Sequence, residues 1–201
     1  MRRVAGELDA GTMSLYHYVR TKADLVALMD DAVMAEILVP PAEMPVGWRE
    51  ALGAIARRTR GVLMRHPWVL SSLRDPPFGP NAMRHVEQFF AAFADTDVGG
   101  AERLELLAFL NAYVFGSVLQ TAESQRRAAT ARDHPEAATA LLEFGLRELS
   151  SGNYPQMAAM FAADGGEVRP DAMDEAGLGQ QFERGLQTLL DGVAIRIAGA
   201  R

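Results

Sequence analysis

Residues Val4–Met29 read VAGELDAGTMSLYHYVRTKADLVALM and crowd two tyrosines and a histidine beside Lys22, the only lysine of the chain. Val4, Leu8, Leu15 and Val19 form two i, i+4 apolar pairs, one on each of two short predicted helices, Arg2–Leu8 and Met13–Val19. Asp9-Ala10-Gly11 makes the turn between them, with Gly11 able to take a positive φ. Two such helices joined by a tight turn describe a helix-turn-helix. With Leu15 and Val19 inward, Thr12/Tyr16, Met13/His17 and Ser14/Tyr18 become i, i+4 neighbours on the exposed side. Hydroxyls and imidazole suit phosphates and base edges, and Met13 suits a thymine methyl. Thr12 and the free amides of the helix start suit a phosphate. Spacing alone leaves a second reading open: a small hairpin whose aromatic rings pack on the body.

The remaining chain narrows the classes. Of 201 residues 49% are hydrophobic, enough for a globular core and too many for a disordered tail. The lack of cysteine excludes disulfides, thiolate nucleophiles and zinc ribbons. MRRVAGELDAG has no apolar run of the signal-peptide kind. The most apolar segment, Leu104–Leu119, is interrupted by Glu105 and Asn111 and is expected to be too short to span a bilayer. A cytoplasmic protein without membrane attachment is the expectation. The net charge is −6, yet residues 1–22 carry Arg2, Arg3, Arg20 and Lys22 against Glu7 and Asp9, a net of +2, leaving −8 for the rest. A basic head on an acidic body can still meet DNA, because phosphate attraction is local and screened beyond about 10 Å.

Spacings of three and four dominate and β-branched alternation is nearly absent, so the fold class is all-α. Thr21-Lys22-Ala23-Asp24 reads as a capping box that opens a third helix, with Leu25, Leu28, Met29, Ala32, Val33 and Ile37 inward. Pro40, Pro41 and Pro45 stop it and mark the expected boundary between a head with its connecting helix, residues 1–39, and a body, residues 48–201. Further helices are predicted over Trp48–Arg65, Asn81–Ala94, Ala101–Arg127, Pro135–Leu149 and Pro155–Ala163, with Gly165–Gly179 as a surface loop. The Ala101–Arg127 segment is apolar on nearly every side and is expected in the middle of the body. The last helix carries Phe182, Leu186, Leu189, Leu190, Val193 and Ile197 on one stripe, read as the dimer interface, with Gly185 and Gly192 permitting close approach.

The opening stretch resembles the helix-turn-helix signature of the tetracycline-repressor (TetR) family of bacterial transcription regulators. Val4, Ala5, Leu8, Ser14, Leu15, Tyr16, Tyr18, Val19, Thr21, Lys22 and Leu25 match that pattern at its spacing, while Asp9 and Ala10 replace its usual Gly-Val. The resemblance implies that Tyr16, Tyr18 and Lys22 hold phosphates, that Thr12, Met13, Ser14 and His17 face bases or phosphates, and that Arg2 and Arg3 approach the same groove. It implies a homodimer on a palindromic double-stranded operator and a small hydrophobic ligand in the body. It also implies a helix and short arm ahead of the motif; because Met1 falls inside the motif's first helix, the head is expected to be truncated and its operator binding weakened.

NAYVFGSVLQTAES and FERGLQTLLDGVA resemble the body of the subgroup that contains the tetracycline repressors themselves. Leu38, Ile55 and Leu73 stand where those sensors place the asparagine and histidines that hold drug and magnesium. Leucine and isoleucine cannot ligate a metal, so an apolar pocket without metal or cofactor is expected, and no tetracycline. Its candidate wall is Ile55, Thr59, Leu73, Phe78, Met83, Val86, Phe89, Leu107 and Asn111, any of which core packing alone would also explain. Asn111 stands out as a polar amide in an almost wholly apolar helix, needing a partner in the chain or a ligand.

His66, His85 and His134 lack neighbours at ligand spacing, Ser71-Ser72 lacks a nucleophile-elbow context, and Gly177–Phe182 follows no strand. No catalytic constellation is expected. The reading is a ligand-responsive DNA-binding repressor; the alternative is a free-standing helical small-molecule binder, or an enzyme, that does not touch DNA.

Overall fold

The computed structural model describes residues 1–72, 79–163 and 175–199. Leu73 and Phe78 fall outside that range. All regular structure among the described residues is helical: α1 (Arg2–Glu7), α2 (Thr12–Tyr18), α3 (Lys22–Ile37), a 3-10 turn (Pro41–Glu43), α4 (Trp48–Arg65), α5 (Val69–Ser72), α6 (Pro80–Ala91), α7 (Gly100–Asp133), α8 (Pro135–Ser150), α9 (Pro155–Ala163) and α10 (Glu175–Gly199).

The turn between α1 and α2 is built differently from expectation. Asp9, at φ 48°, takes the left-handed conformation, while Gly11 sits at φ −68° as the N-cap of α2. The Ala10 N–H donates to the Ala5 carbonyl at 2.9 Å and the Asp9 N–H to the Gly6 carbonyl at 3.2 Å. That pair of bonds is a Schellman closure, which places its left-handed residue just past the helix end, at Asp9. The buried contribution of α1 is Ala5, and α2 is followed by buried Val19; Val4 and Leu8 are exposed. Alanine is small enough to let α1 approach α2 closely, and the larger side chains then fall outside the contact. The capping box is present as expected: the Thr21 N–H donates to Asp24 Oδ2 at 2.9 Å and the Asp24 N–H to Thr21 Oγ1 at 3.0 Å. Along α3 the buried face is Asp30, Val33 and Ile37, whereas Leu28 and Met29 are exposed.

By packing, the chain forms two compact units. One compact unit is Met1–Val118 with Leu186–Arg201, and the other is Leu119–Gly185. In the first, α3 packs on α4, α5 and α6, so the connecting helix belongs to the body as much as to the head. Its core holds Leu52, Ile55, Leu63, Phe89, Phe93, Leu110, Val114, Leu186 and Leu190. Trp48 stacks on Phe93 with ring centroids 6.3 Å apart, and Phe89 leans on Phe93 at 5.4 Å. Arg196 ties α10 to α7 through Glu102 at 3.0 Å and Glu105 at 3.3 Å.

Two expectations about helix faces are corrected. Phe182, Leu186, Leu190 and Val193 are buried inside the protomer, and Leu189 and Ile197 are half-buried, so the stripe of α10 serves its own chain. A helix able to hide an apolar stripe in its own body gains that burial without paying association entropy. Helix α7 is not central either. Leu106, Leu107, Leu110, Val114 and Val118 are buried, while Leu104, Ala108, Phe109, Ala112 and Gly116 are exposed. At 34 residues it is long and apolar enough, by length and composition, to cross a bilayer, contrary to the expectation from Leu104–Leu119. Its buried stripe faces the protein core instead.

The second unit holds the remainder of α7, then α8, α9 and the start of α10, which begins inside the segment expected to be loop. Glu123 pairs with Arg126 and Arg127 one turn on. Helices α8 and α9 pack together but leave Leu141, Leu142, Phe144, Met157 and Met160 exposed.

Candidate DNA-binding head and ligand cavity

Helix α2 presents an exposed polar and aromatic face. Met13 and Tyr18 are about four-fifths exposed, and Tyr16, Ser14 and His17 are exposed with them; Thr12 is half-buried at the helix start. The His17 and Tyr18 rings meet edge to face at 5.6 Å, which restrains both without burying either. Lys22 is exposed at the first position of α3, immediately after the capping box, and Arg2 and Arg3 are exposed at the start of α1. The residues assigned to DNA therefore stand on accessible surface, and Leu15 and Val19 point the other way.

Behind the head lies a cavity of about 210 Å³ between α3, α4, α6 and α7. Thr59, Val86, Leu107 and Asn111 line it together, four of the residues assigned to a pocket from sequence. Ile55 and Phe89 do not: both are fully buried in the core, Phe89 within the aromatic cluster. Met83 points to solvent, because α6 turns positions 85, 86 and 89 inward and 83 outward. Residues not anticipated share the wall, among them Asp30, Asp31 and Met34 of α3, His85 of α6 and Phe115 of α7. The Asp30-Asp31 pair in an otherwise apolar stretch of α3 was the available signal.

The polar groups of this wall are unevenly satisfied. The Thr59 hydroxyl donates to the Ile55 carbonyl at 2.8 Å, one turn back on α4. Asp31 accepts from the Asn81 N–H at 3.0 Å, the Asn81 side-chain amide at 2.8 Å and the Ala82 N–H at 3.4 Å. The Asn81 amide also donates to the Asp31 carbonyl at 3.2 Å. Helix α6 has no capping side chain of its own, since Gly79 is its N-cap, and Asp31 supplies one from α3. Gly79 leaves room for it: a Cβ there would overlap Asp31 Oδ1. His85 is 5% exposed and its Nδ1 has no partner among the described residues. Burial pushes its imidazole down to about 4 from 6.5, so it is neutral at physiological pH.

Past the cavity, the end of α3 is latched to α4 and α6. Arg58 donates to the Glu36 carbonyl at 2.8 Å, and Arg65 and His66 hold the Glu36 carboxylate at 3.0 and 3.1 Å. The Arg65 and His66 hydrogen bonds lower the Glu36 pKa. Gln88 brackets Val39, donating to its carbonyl at 2.6 Å and accepting from its N–H at 3.2 Å.

A family model described as "Tetracyclin repressor-like, C-terminal domain" matches residues 40–197. The chain belongs to the tetracycline-repressor family of transcription regulators. Its similarity to members of this family extends through the head. It is 36% identical over 211 residues to the HTH-type transcriptional repressor DrrR1 of Streptomyces coeruleorubidus, covering 100% of this chain and 72% of that protein. It is 38% identical over 196 residues to an HTH-type transcriptional regulator of Saccharopolyspora erythraea, covering 96% of this chain and 75% of that one. Two crystal structures of the TetR family protein ActR of Streptomyces coelicolor share the fold over the whole chain and 87% of theirs. The apo form gives a TM-score of 0.67 at 26% identity, and the complex with actinorhodin 0.66 at 24%.

Proposed function

We propose that this TetR-family chain is a ligand-responsive repressor: a cytoplasmic homodimer that holds a palindromic operator through α2 of each subunit and releases it when a small hydrophobic molecule enters the cavity. The observation that carries the reading is that one helix serves both sites. Helix α3 begins at Lys22, beside the DNA-facing surface, and lines the cavity with Asp30, Asp31, Met34 and Ile37. Lys22 and Asp31 are nine residues apart, about 14 Å along the helix. A ligand wedged between α3 and α6 pushes on the rod that carries the head. Half-sites must lie one helical turn apart, about 34–36 Å, so a small tilt of α3 in each subunit spoils the fit to successive major grooves.

The second copy meets a face that the protomer leaves bare. On α7 this is Ala108, Ala112 and Gly116, and on α10 Gly192 and Ile195, the last 74% exposed. Small side chains let helices approach closely, and Gly116 and Gly192 have only open space around them in the protomer.

The test is a thermal-shift screen joined to a gel shift on the DNA upstream of the chain's own gene. Hydrophobic compounds should raise the melting temperature without magnesium, and the same compounds should release the DNA. Stabilisation by tetracycline only with magnesium would contradict the apolar reading of Leu38 and Ile55.

A further inference from the structure

The polar atoms of the α3–α4–α6–α7 cavity specify a ligand, and this inference rests on the cavity being the effector site. The strongest anion-binding feature near the cavity is the N-terminus of α6, where free amides and the helix dipole favour negative charge. The chain has already filled it. Asp31 reaches across from α3 and accepts from the Asn81 and Ala82 amides, in the space that Gly79 leaves open. The hydrogen-bond partners shown for Asp31 carry no formal charge, so the helix end offsets its negative charge only in part. Among the described residues no lysine or arginine lines the cavity. An anionic ligand in the cavity would face this carboxylate with no lysine or arginine on the cavity wall to balance it, and like charges repel.

The remaining polar groups ask for a donor. The Thr59 proton is committed to the Ile55 carbonyl, leaving only lone pairs for a ligand. Half-buried Asn111 of α7 lines the cavity, and at the same wall buried His85 is neutral with Nδ1 unpaired among the described residues. A buried polar group without a partner is costly, and a ligand that supplies one gains that cost back as affinity. Elsewhere the wall is aliphatic, with one aromatic ring, Phe115.

We infer that the cavity selects a compact apolar molecule that carries a hydroxyl or amino donor and no anionic group, with Thr59 and Asn111 reading the donor and Asp31 excluding acids. The class is that of phenols, alicyclic alcohols and arylalkyl amines; carboxylic acids and phosphate esters are rejected.

Four matched probes test this by calorimetry on the full chain without DNA: 2-naphthol, naphthalene, 2-naphthoate and 1-naphthylmethylamine. The naphthol should bind about tenfold more tightly than naphthalene, as one well-placed buried hydrogen bond allows. The naphthoate should bind at least tenfold more weakly than the naphthol, and the amine no more weakly than naphthalene. Thr59→Val should bring naphthol and naphthalene within about threefold of each other, while Thr59→Ser keeps the preference. Unliganded melting temperatures show whether each variant is folded. If Thr59→Val does not fold, Asn111→Leu carries the same comparison. Equal affinity for naphthol and naphthalene, naphthoate as the tightest binder, or no binding by any probe would overturn the inference. A naphthol that binds as described yet leaves the chain on its DNA would instead overturn the repressor reading and leave the ligand selection standing.

Discussion

His85 is the residue whose chemistry is furthest from its ordinary state. Its pKa is about 4 in the folded protein and 6.5 in the unfolded chain, so between those values the unfolded state binds the extra proton. The stabilisation linked to its neutral form is therefore complete above pH 6.5 and lost as the pH falls towards 4. At roughly 1.4 kcal/mol per pH unit this amounts to at most about 3 kcal/mol. Urea unfolding of the wild type should show this loss between pH 7 and 4.5, and His85→Phe should flatten it; an unchanged pH profile in the variant would remove His85 as the cause. Asp9 gives a second prediction. It holds φ 48° in the Schellman closure of α1, where the family pattern has glycine. Asp9→Gly should be neutral or stabilise slightly, and Asp9→Val should cost about 1–2 kcal/mol in thermal unfolding, since a β-branched residue resists that conformation. Sequence marked Asp9 as a departure and offered Gly11 as able to take a positive φ, because glycine is the usual owner of that region. The closure instead counts residues from the helix end, which spacing does not locate to one position. His85 was dismissed for want of neighbours at ligand spacing, and its unusual feature is burial, which a lone histidine in a sequence does not display.

At the scale of elements, the contact that matters most is the cap that α3 supplies to α6. Gly79→Ala places a Cβ on Asp31 Oδ1 and should expel the carboxylate from the Asn81 and Ala82 amides. Loss of a cap costs about 1 kcal/mol, and the buried position adds to it, so a drop of about 1–2 kcal/mol is expected in chemical denaturation. Asp31→Ala should cost a similar amount through the same bonds, and the double variant should cost little more than either alone, because both remove one interaction. Full additivity would show that the two residues act separately. The helices themselves were legible: prolines and the Thr21–Asp24 box marked starts that the structure keeps at α3, α8 and α9. Residues 31 and 81 are fifty positions apart, and nothing in either local pattern announces that one caps the other's helix. The missing clue was negative. Helix α6 starts from Gly79 with no polar cap of its own, which left a place for a distant side chain.

For the whole molecule, the apolar stripe of α10 was correctly seen and wrongly placed. Leu186, Leu190 and Val193 complete the protomer, because a helical repeat shows which side is apolar but not whose surface covers it. The proposed dimer face is the bare small-residue face of α7 and α10. Gly116→Arg with Gly192→Arg should leave the helices intact, as both sites open onto free space and glycine is the poorer helix former, yet yield monomers in ultracentrifugation. A dimer of unchanged stability would refute this face. In the head the two short helices and the capping box were legible from spacing, whereas Val4 and Leu8, read as inward, are exposed; the cavity was legible only in part, because core and pocket use the same residue types. DNA binding by the exposed face of α2 and the start of α3 is the central property of the proposed repressor. Its most direct test is fluorescence anisotropy on the duplex upstream of the chain's own gene, across a salt series, for wild type, Lys22→Ala and a scrambled duplex. The chain should prefer the upstream duplex, with affinity falling linearly in log–log form with salt and a slope shallower by about one in Lys22→Ala. Equal binding to the scrambled duplex, together with a slope that Lys22→Ala leaves unchanged, would contradict it.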